Sequence, residues 1–134
     1  MSSLNFYYGW EGVLALRLAL ALILIVHGWP KIAHPGATAK SFDGMGFRPG
    51  LLWGAIAGLI EFAGGILLAL GLFTFCVASL LAAQFLVILV WRLATRQHFV
   101  GGWEFDLLIF AAAIFFVLHG AGSYSLDGAY FIGW

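Results

Sequence analysis

The sequence predicts an all-α membrane protein, an antiparallel bundle of four transmembrane helices. Of its 134 residues, 63% are hydrophobic and 9% charged, and the mean hydropathy is +1.04. Four apolar stretches also each reach the ~20 residues with which a helix crosses a hydrocarbon layer about 30 Å thick. Soluble domains carry about 25% charged residues. A chain with so few has no polar face to turn toward water, so lipid is its solvent. The length fits one domain, 1–134. Six acidic and six basic residues give a net charge of zero, which removes nucleic acid from the expected partners. A single cysteine, Cys76, allows neither an intramolecular disulfide nor a dithiol redox pair. Residues 1–10 hold no Lys or Arg, unlike the charged start of a secretory signal, so the first apolar segment is expected to be retained.

The first span, about 11–32, ends where Pro30, Pro35 and Gly36 break the pattern. The second, about 51–72, begins after Pro49-Gly50, and a tight turn at Gly71-Leu72-Phe73-Thr74 leads to the third, about 75–95. The connector 97–103 precedes the fourth, about 105–122, which ends at Gly120 to Gly122. Connections this short make neighbouring helices antiparallel. Lys31, Lys40 and Arg48 flank the first connector, Arg92 and Arg96 the third, and the second has none. The positive-inside rule then places connectors one and three in the cytoplasm and both termini outside. Trp10, Trp29, Trp53, Trp103 and Trp134 stand near span ends, where their rings suit the headgroup layer.

At 100° per residue, Arg17, His27 and Lys31 share one face of the first span. Gly54, Gly58, Glu61 and Gly65 share one face of the second, and small residues four apart let another helix approach closely. Glu104 and His119 lie on one stripe of the fourth span, and Gln84 is the strongly polar residue in the middle of the third. Counting ~1.5 Å per residue from the side of connectors one and three puts Lys31, Arg92, Glu104 and Asp106 near that surface, with His27 roughly 8 Å in. The same count puts Glu61 about 15 Å deep, Gln84 about 17 Å, His119 about 21 Å and Arg17 about 22 Å. The forked Arg17 side chain spans the remaining ~7 Å, so an Arg17–Glu61 ion pair inside the bundle is expected. Such a pair either fixes helix register by mutual neutralisation or takes a direct functional part.

Several chemistries are excluded as expectations. His27 and His119 differ by about 13 Å in depth, which does not suit a haem held between them. No cluster of three or four metal-ligating side chains is visible, and no phosphate-cradling glycine loop with its Lys-Ser/Thr pair occurs. Neither metal nor haem is expected. What fits is a mixed cleft on the side of connectors one and three, with Trp29 and Trp103 among its walls and His27, Lys31, Arg92 and Glu104 as its polar groups. A quinone suits such a site, since its ring and tail enter from lipid while its oxygens take hydrogen bonds. The plainer readings are a helix-end histidine bonded to a neighbour, and cations and tryptophans that fix the span ends.

The segments Arg17-Leu18-Ala19, His27-Gly28-Trp29 with Lys31, Gly58-Leu59-Ile60-Glu61-Phe62-Ala63-Gly64-Gly65, Leu70-Gly71-Leu72-Phe73-Thr74, Gly101-Gly102-Trp103-Glu104 and Gly122-Ser123-Tyr124-Ser125-Leu126-Asp127 occur in this order. Over nearly its whole length the chain thereby resembles the DoxX-like family of small bacterial and archaeal membrane proteins. The resemblance implies a four-helix bundle in the cytoplasmic (inner) membrane of a prokaryote. It also implies a link to quinone-coupled oxidoreductases, as a membrane subunit beside a redox-enzyme partner rather than a self-contained enzyme. The family commonly has an Arg after the Gly-Leu-Phe-Thr turn, where this chain has Phe75. A contact through that Arg is thus not expected here. Two other classes fit the residues: a small-solute or proton-coupled carrier switching on Arg17 and Glu61, and a membrane scaffold acting through its glycine faces. Those faces also leave a homo-oligomer open.

Overall fold

The computed structural model describes residues 2–130, with side chains from 9 to 129. Trp134, one of the expected belt tryptophans, lies outside the described residues. The elements are α1 (Ser2–Ala33), α2 (Pro35–Met45), α3 (Gly50–Leu70), α4 (Thr74–Ala94), a kinked turn at Phe99–Trp103, α5 (Glu104–His119) and α6 (Leu126–Tyr130). Four segments are long and apolar enough to cross a membrane: Gly9–Ala33, Gly50–Leu70, Thr74–Ala94 and Phe99–His119. The chain is an all-α membrane protein with the expected four spans.

Two short helices depart from the expectation of plain loops. Pro30 lies inside α1, which runs on to Ala33, and the His34 amide still donates to the Pro30 carbonyl at 2.9 Å. Pro35 then opens α2, where its missing N–H costs nothing. Gly46, in the left-handed region at φ +95°, closes it, its amide donating to Asp43 O at 3.1 Å and that of Phe47 to Phe42 O at 2.9 Å. Asp43 next accepts the amide of Gly50 at 2.8 Å, satisfying a free N–H at the start of α3.

Glycines set how the helices meet. A Cβ at Gly28 would lie 2.5 Å from the Phe62 nitrogen, one at Gly58 3.0 Å from Lys31 Cβ, and one at Gly65 2.8 Å from Ile25 Cγ1. These pairs fix the antiparallel register of α1 on α3, in which Gly28 stands opposite Glu61. Farther toward the start of α3, the contact passes to α2: Gly54 abuts Thr38, and Gly50 meets the Ala39 carbonyl. The first two turns of α3 thus extend past the end of α1 and are covered by α2. On the other flank α4 packs along α5 and meets α3, which completes two helix pairs side by side.

The packed core fills one half of this bundle. Leu24, Leu68, Leu81, Ala113 and Phe116 are fully buried there, between the α3–α4 turn and mid-membrane. A strap formed by residues 120–127 closes the same end. Arg17, 2% exposed, donates from its two terminal nitrogens to Ala121 O and Tyr124 O at 2.5 Å each. The Asp127 carboxylate accepts the amides of Phe73 and Thr74 at 2.9 and 2.8 Å, and its own amide donates to Gly71 O at 2.8 Å. A carboxylate on the first amides of α4 meets the positive end of the helix dipole. Gly71 has to be glycine on two counts, since its φ is +67° and a Cβ would collide with Ser125.

Candidate functional site

The other half of the bundle, at the cation-rich end, is not filled. Between the α1–α3 and α4–α5 pairs lies a cavity of about 710 Å³, closed at the end by Phe42 and Met45 of α2 and by Phe47. Trp91 ties this cover down by donating its indole N–H to Met45 O at 3.0 Å. Trp53, Ile56, Leu80 and Val87 line the cavity and are also exposed on the outer face of α3 and α4. The cavity therefore opens sideways between these helices, where an inserted protein faces lipid tails.

Its walls are mostly apolar, with one polar cluster. Glu61, 1% exposed, stands in the centre and receives three hydrogen bonds: from Lys31 Nζ to its two oxygens at 2.6 and 2.7 Å, and from Gln84 Nε2 to Oε1 at 2.6 Å. A buried carboxylate persists only when paired and hydrogen-bonded in this way. Arg92 Nε approaches Asp106 Oδ2 to 2.5 Å without a well-aligned N–H, so the contact is an ion pair rather than a directed hydrogen bond. Arg92 also donates from Nη1 to Gln97 Oε1 at 2.8 Å. His27 completes the cluster. Its Nδ1 donates to Ile23 O at 2.8 Å, and its ring centroid lies 5.4 Å from that of Phe105. Two cations and two carboxylates line the cavity as matched pairs, and the cluster as a whole is charge-neutral.

The structure sorts the expected site residues into three places. His27, Lys31 and Arg92 line the cavity. Trp29 faces outward, 56% exposed, with its ring 5.5 Å from Phe62. Trp103 packs edge-on against Phe99 at 4.6 Å, and Glu104 is exposed and accepts the Gly101 amide at 3.0 Å. Neither Trp103 nor Glu104 lines the cavity. The expected Arg17–Glu61 pair is not formed. The depth count started every span at one level, whereas α3 begins about two turns beyond the end of α1. Lys31 is consequently one turn from Glu61, and Arg17 sits at the level of Gly71, against the closing strap.

The roles of Gln84 and Asp106 were not foreseen from the sequence. Gln84 stood out only as a polar residue in an apolar span, and Asp106 as a shallow acid at the start of the fourth. Lone polar groups in spans must find partners, and here each supplies one to the cluster. The glycine faces are committed to contacts within the chain, at Gly28, Gly54, Gly58 and Gly65. No group of three or more His, Cys, Asp or Glu placed to hold a metal occurs among the described residues.

Comparison with known proteins agrees with the sequence resemblance. An uncharacterized protein of Haemophilus influenzae is 33% identical over 121 residues, covering 87% of this chain and 88% of the relative. A Bacillus subtilis protein named "Putative oxidoreductase CatD" is 32% identical over 122 residues, covering 91% of this chain and 89% of its own length. No solved structure matches. The DoxX family model matches residues 12–93, a stretch that runs from α1 to the end of α4 and includes Lys31, Glu61, Gln84 and Arg92. The chain belongs to the DoxX family.

Proposed function

We propose that this protein is the quinone-binding membrane subunit of an oxidoreductase system, with an enzyme partner supplying or withdrawing the electrons. The observation that carries the reading is the cavity itself. It is large enough for a substituted ring, is apolar along its walls, opens toward lipid, and holds its polar groups together at one place. A lipid-soluble ring with polar oxygens matches each of these properties. The compensated charges of Lys31 with Glu61 and of Arg92 with Asp106 favour a neutral head over an anion. The oxidoreductase name of the Bacillus subtilis relative supports the redox setting.

The positive-inside rule puts the end that bears Lys40, Arg48 and Arg96 in the cytoplasm, so the partner would meet the cover formed by α2 and the turn Phe99–Trp103. The membrane is the cytoplasmic membrane of a prokaryote. Trp53 and Trp91 line the cavity, so binding of a decyl-substituted benzoquinone to the purified protein in detergent should quench intrinsic fluorescence saturably. Ala83→Trp, which fills the lateral mouth, should abolish saturation while the melting temperature is kept. Saturable quenching of equal strength in this variant would refute the site.

A further inference from the structure

The hydrogen-bond inventory of the cavity says which redox form it takes. His27 Nδ1 contacts the Ile23 carbonyl at 2.8 Å. A carbonyl can only accept, so Nδ1 carries the proton, and the other ring nitrogen of the neutral imidazole is an acceptor. Gln84 is fixed by similar logic. Its amide group faces the Glu61 carboxylate, which is ion-paired with Lys31, so Nε2 must point to Glu61 and Oε1 away from it. Gln84 Oε1 is buried and has no hydrogen-bond partner. Arg92 Nε and Asp106 Oδ2, also on the cavity wall, make no aligned hydrogen bond but face each other as an ion pair. Arg17 Nε and Thr74 Oγ1 are buried without partners, but neither residue lines the cavity.

The donors on the cavity wall are engaged in part. Lys31 spends two of its three N–H groups on Glu61, and Arg92 is held by Asp106 and Gln97. What remains outside the ion pairs is one acceptor nitrogen on His27 and one acceptor oxygen on Gln84, with one N–H on Lys31, one on Gln84 and three on Arg92 still free to donate. A quinone carbonyl can only accept, so it can use the spare donors but leaves both acceptors unmet. A hydroquinone hydroxyl donates and accepts, and so can satisfy both kinds of group.

We infer that the cavity is specific for the hydroxyl-bearing, reduced form of its ring ligand, with His27 and Gln84 as the acceptors that distinguish hydroquinone from quinone. This rests on the quinone reading above and adds the redox form to it. Supplying a donor to a buried orphan acceptor corresponds to a preference of about tenfold. Tighter binding of the reduced form raises the potential of the bound two-electron couple, by about 30 mV for each tenfold. The site would thus make bound quinone a stronger oxidant toward the partner.

The test is equilibrium binding by tryptophan fluorescence, comparing a decyl-substituted benzoquinone with its hydroquinone under anaerobic conditions. Wild-type protein should bind the hydroquinone about tenfold more tightly. Gln84→Leu and His27→Phe should each lower that ratio toward one while the quinone still binds. His27→Phe leaves the Glu61 network untouched, so it reports even where loss of Gln84 impairs folding. Equal affinities, or a preference for the quinone, overturn the inference and leave the quinone site standing. A hydroquinone preference that survives in both variants overturns the assignment to these residues. Binding of neither form removes both the inference and the reading beneath it.

Discussion

Lys31→Met should be among the most damaging single changes in this chain, and a second substitution should repair it. The variant keeps the aliphatic stem that packs on Gly58 and removes the ammonium that supplies two of the three hydrogen bonds to Glu61. Breaking a buried ion pair from one side costs about 3–5 kcal/mol, because a charge is left without its partner. Lys31 retains 29% exposure, which places the expected loss near the lower end, about 3 kcal/mol. On the scale of soluble domains of similar size, this lowers the melting temperature by about 10 °C. Glu61→Gln removes the orphaned charge but keeps an oxygen to accept from Gln84. Lys31→Met with Glu61→Gln should therefore recover most of the loss, giving a coupling energy of about 2 kcal/mol in a double-mutant cycle. The assay is reversible unfolding in mixed detergent micelles, read by far-UV circular dichroism. An unchanged midpoint for Lys31→Met, or additive losses in the double variant, would refute the buried-pair argument.

Other consequences of the same geometry are open to direct measurement. Arg17→Lys and Glu61→Gln should be additive to within about 0.5 kcal/mol in such a cycle, since their side chains share no partner; a larger coupling would restore the pairing that the register of α1 on α3 disallows. Gly65→Ala should destabilise by about 1–3 kcal/mol, because its Cβ would stand 3.1 Å from the Ala21 carbonyl and 2.8 Å from Ile25 Cγ1. Gly44→Ala, on α2 with nothing within 4 Å of its Cβ, should instead stabilise by about 0.5–1 kcal/mol. Asp127→Ala removes the acceptor of the Phe73 and Thr74 amides and should cost about 1–2 kcal/mol. It should also make the strap at residues 120–127 cleavable by added protease under conditions in which the parent protein is resistant.

The spans could be read from the sequence because apolar length and helix breakers act locally. Apart from the start of α1, which runs back to Ser2, the ends of the spanning helices fall within three residues of expectation, from the Gly50 start of α3 to the His119 end of α5. The pairing of the charges could not be read in the same way. Depth along one helix is local, but the offset between two helices depends on what fills the space beside them. Here α2 occupies the space beside the first two turns of α3, and the resulting slip hands Glu61 to Lys31. The marks of α2 were present in Pro35 and Gly46, a proline at the start and a glycine past the end. Its mixed composition gave no apolar run to frame them. The strap was harder still to foresee, because Asp127 reaches Thr74 across 53 residues and nothing near it in sequence requires that contact.

The two ends of the bundle handle buried polarity in different ways, and the difference bears on where a ligand can act. At the strap, Arg17 and Asp127 spend their charge on backbone: carbonyls for one, amides for the other. Backbone partners are fixed by the fold, so this network holds the strap and has little freedom to answer a ligand. In the cavity, side chains satisfy one another, Lys31 and Gln84 on Glu61, and Arg92 beside Asp106. Side chains can turn, and a network built from them can exchange an internal partner for an incoming hydroxyl. Half-satisfied polar groups cost free energy in an apolar setting. That cost is tolerable where a ligand relieves it, and it falls on the half of the bundle left open to lipid.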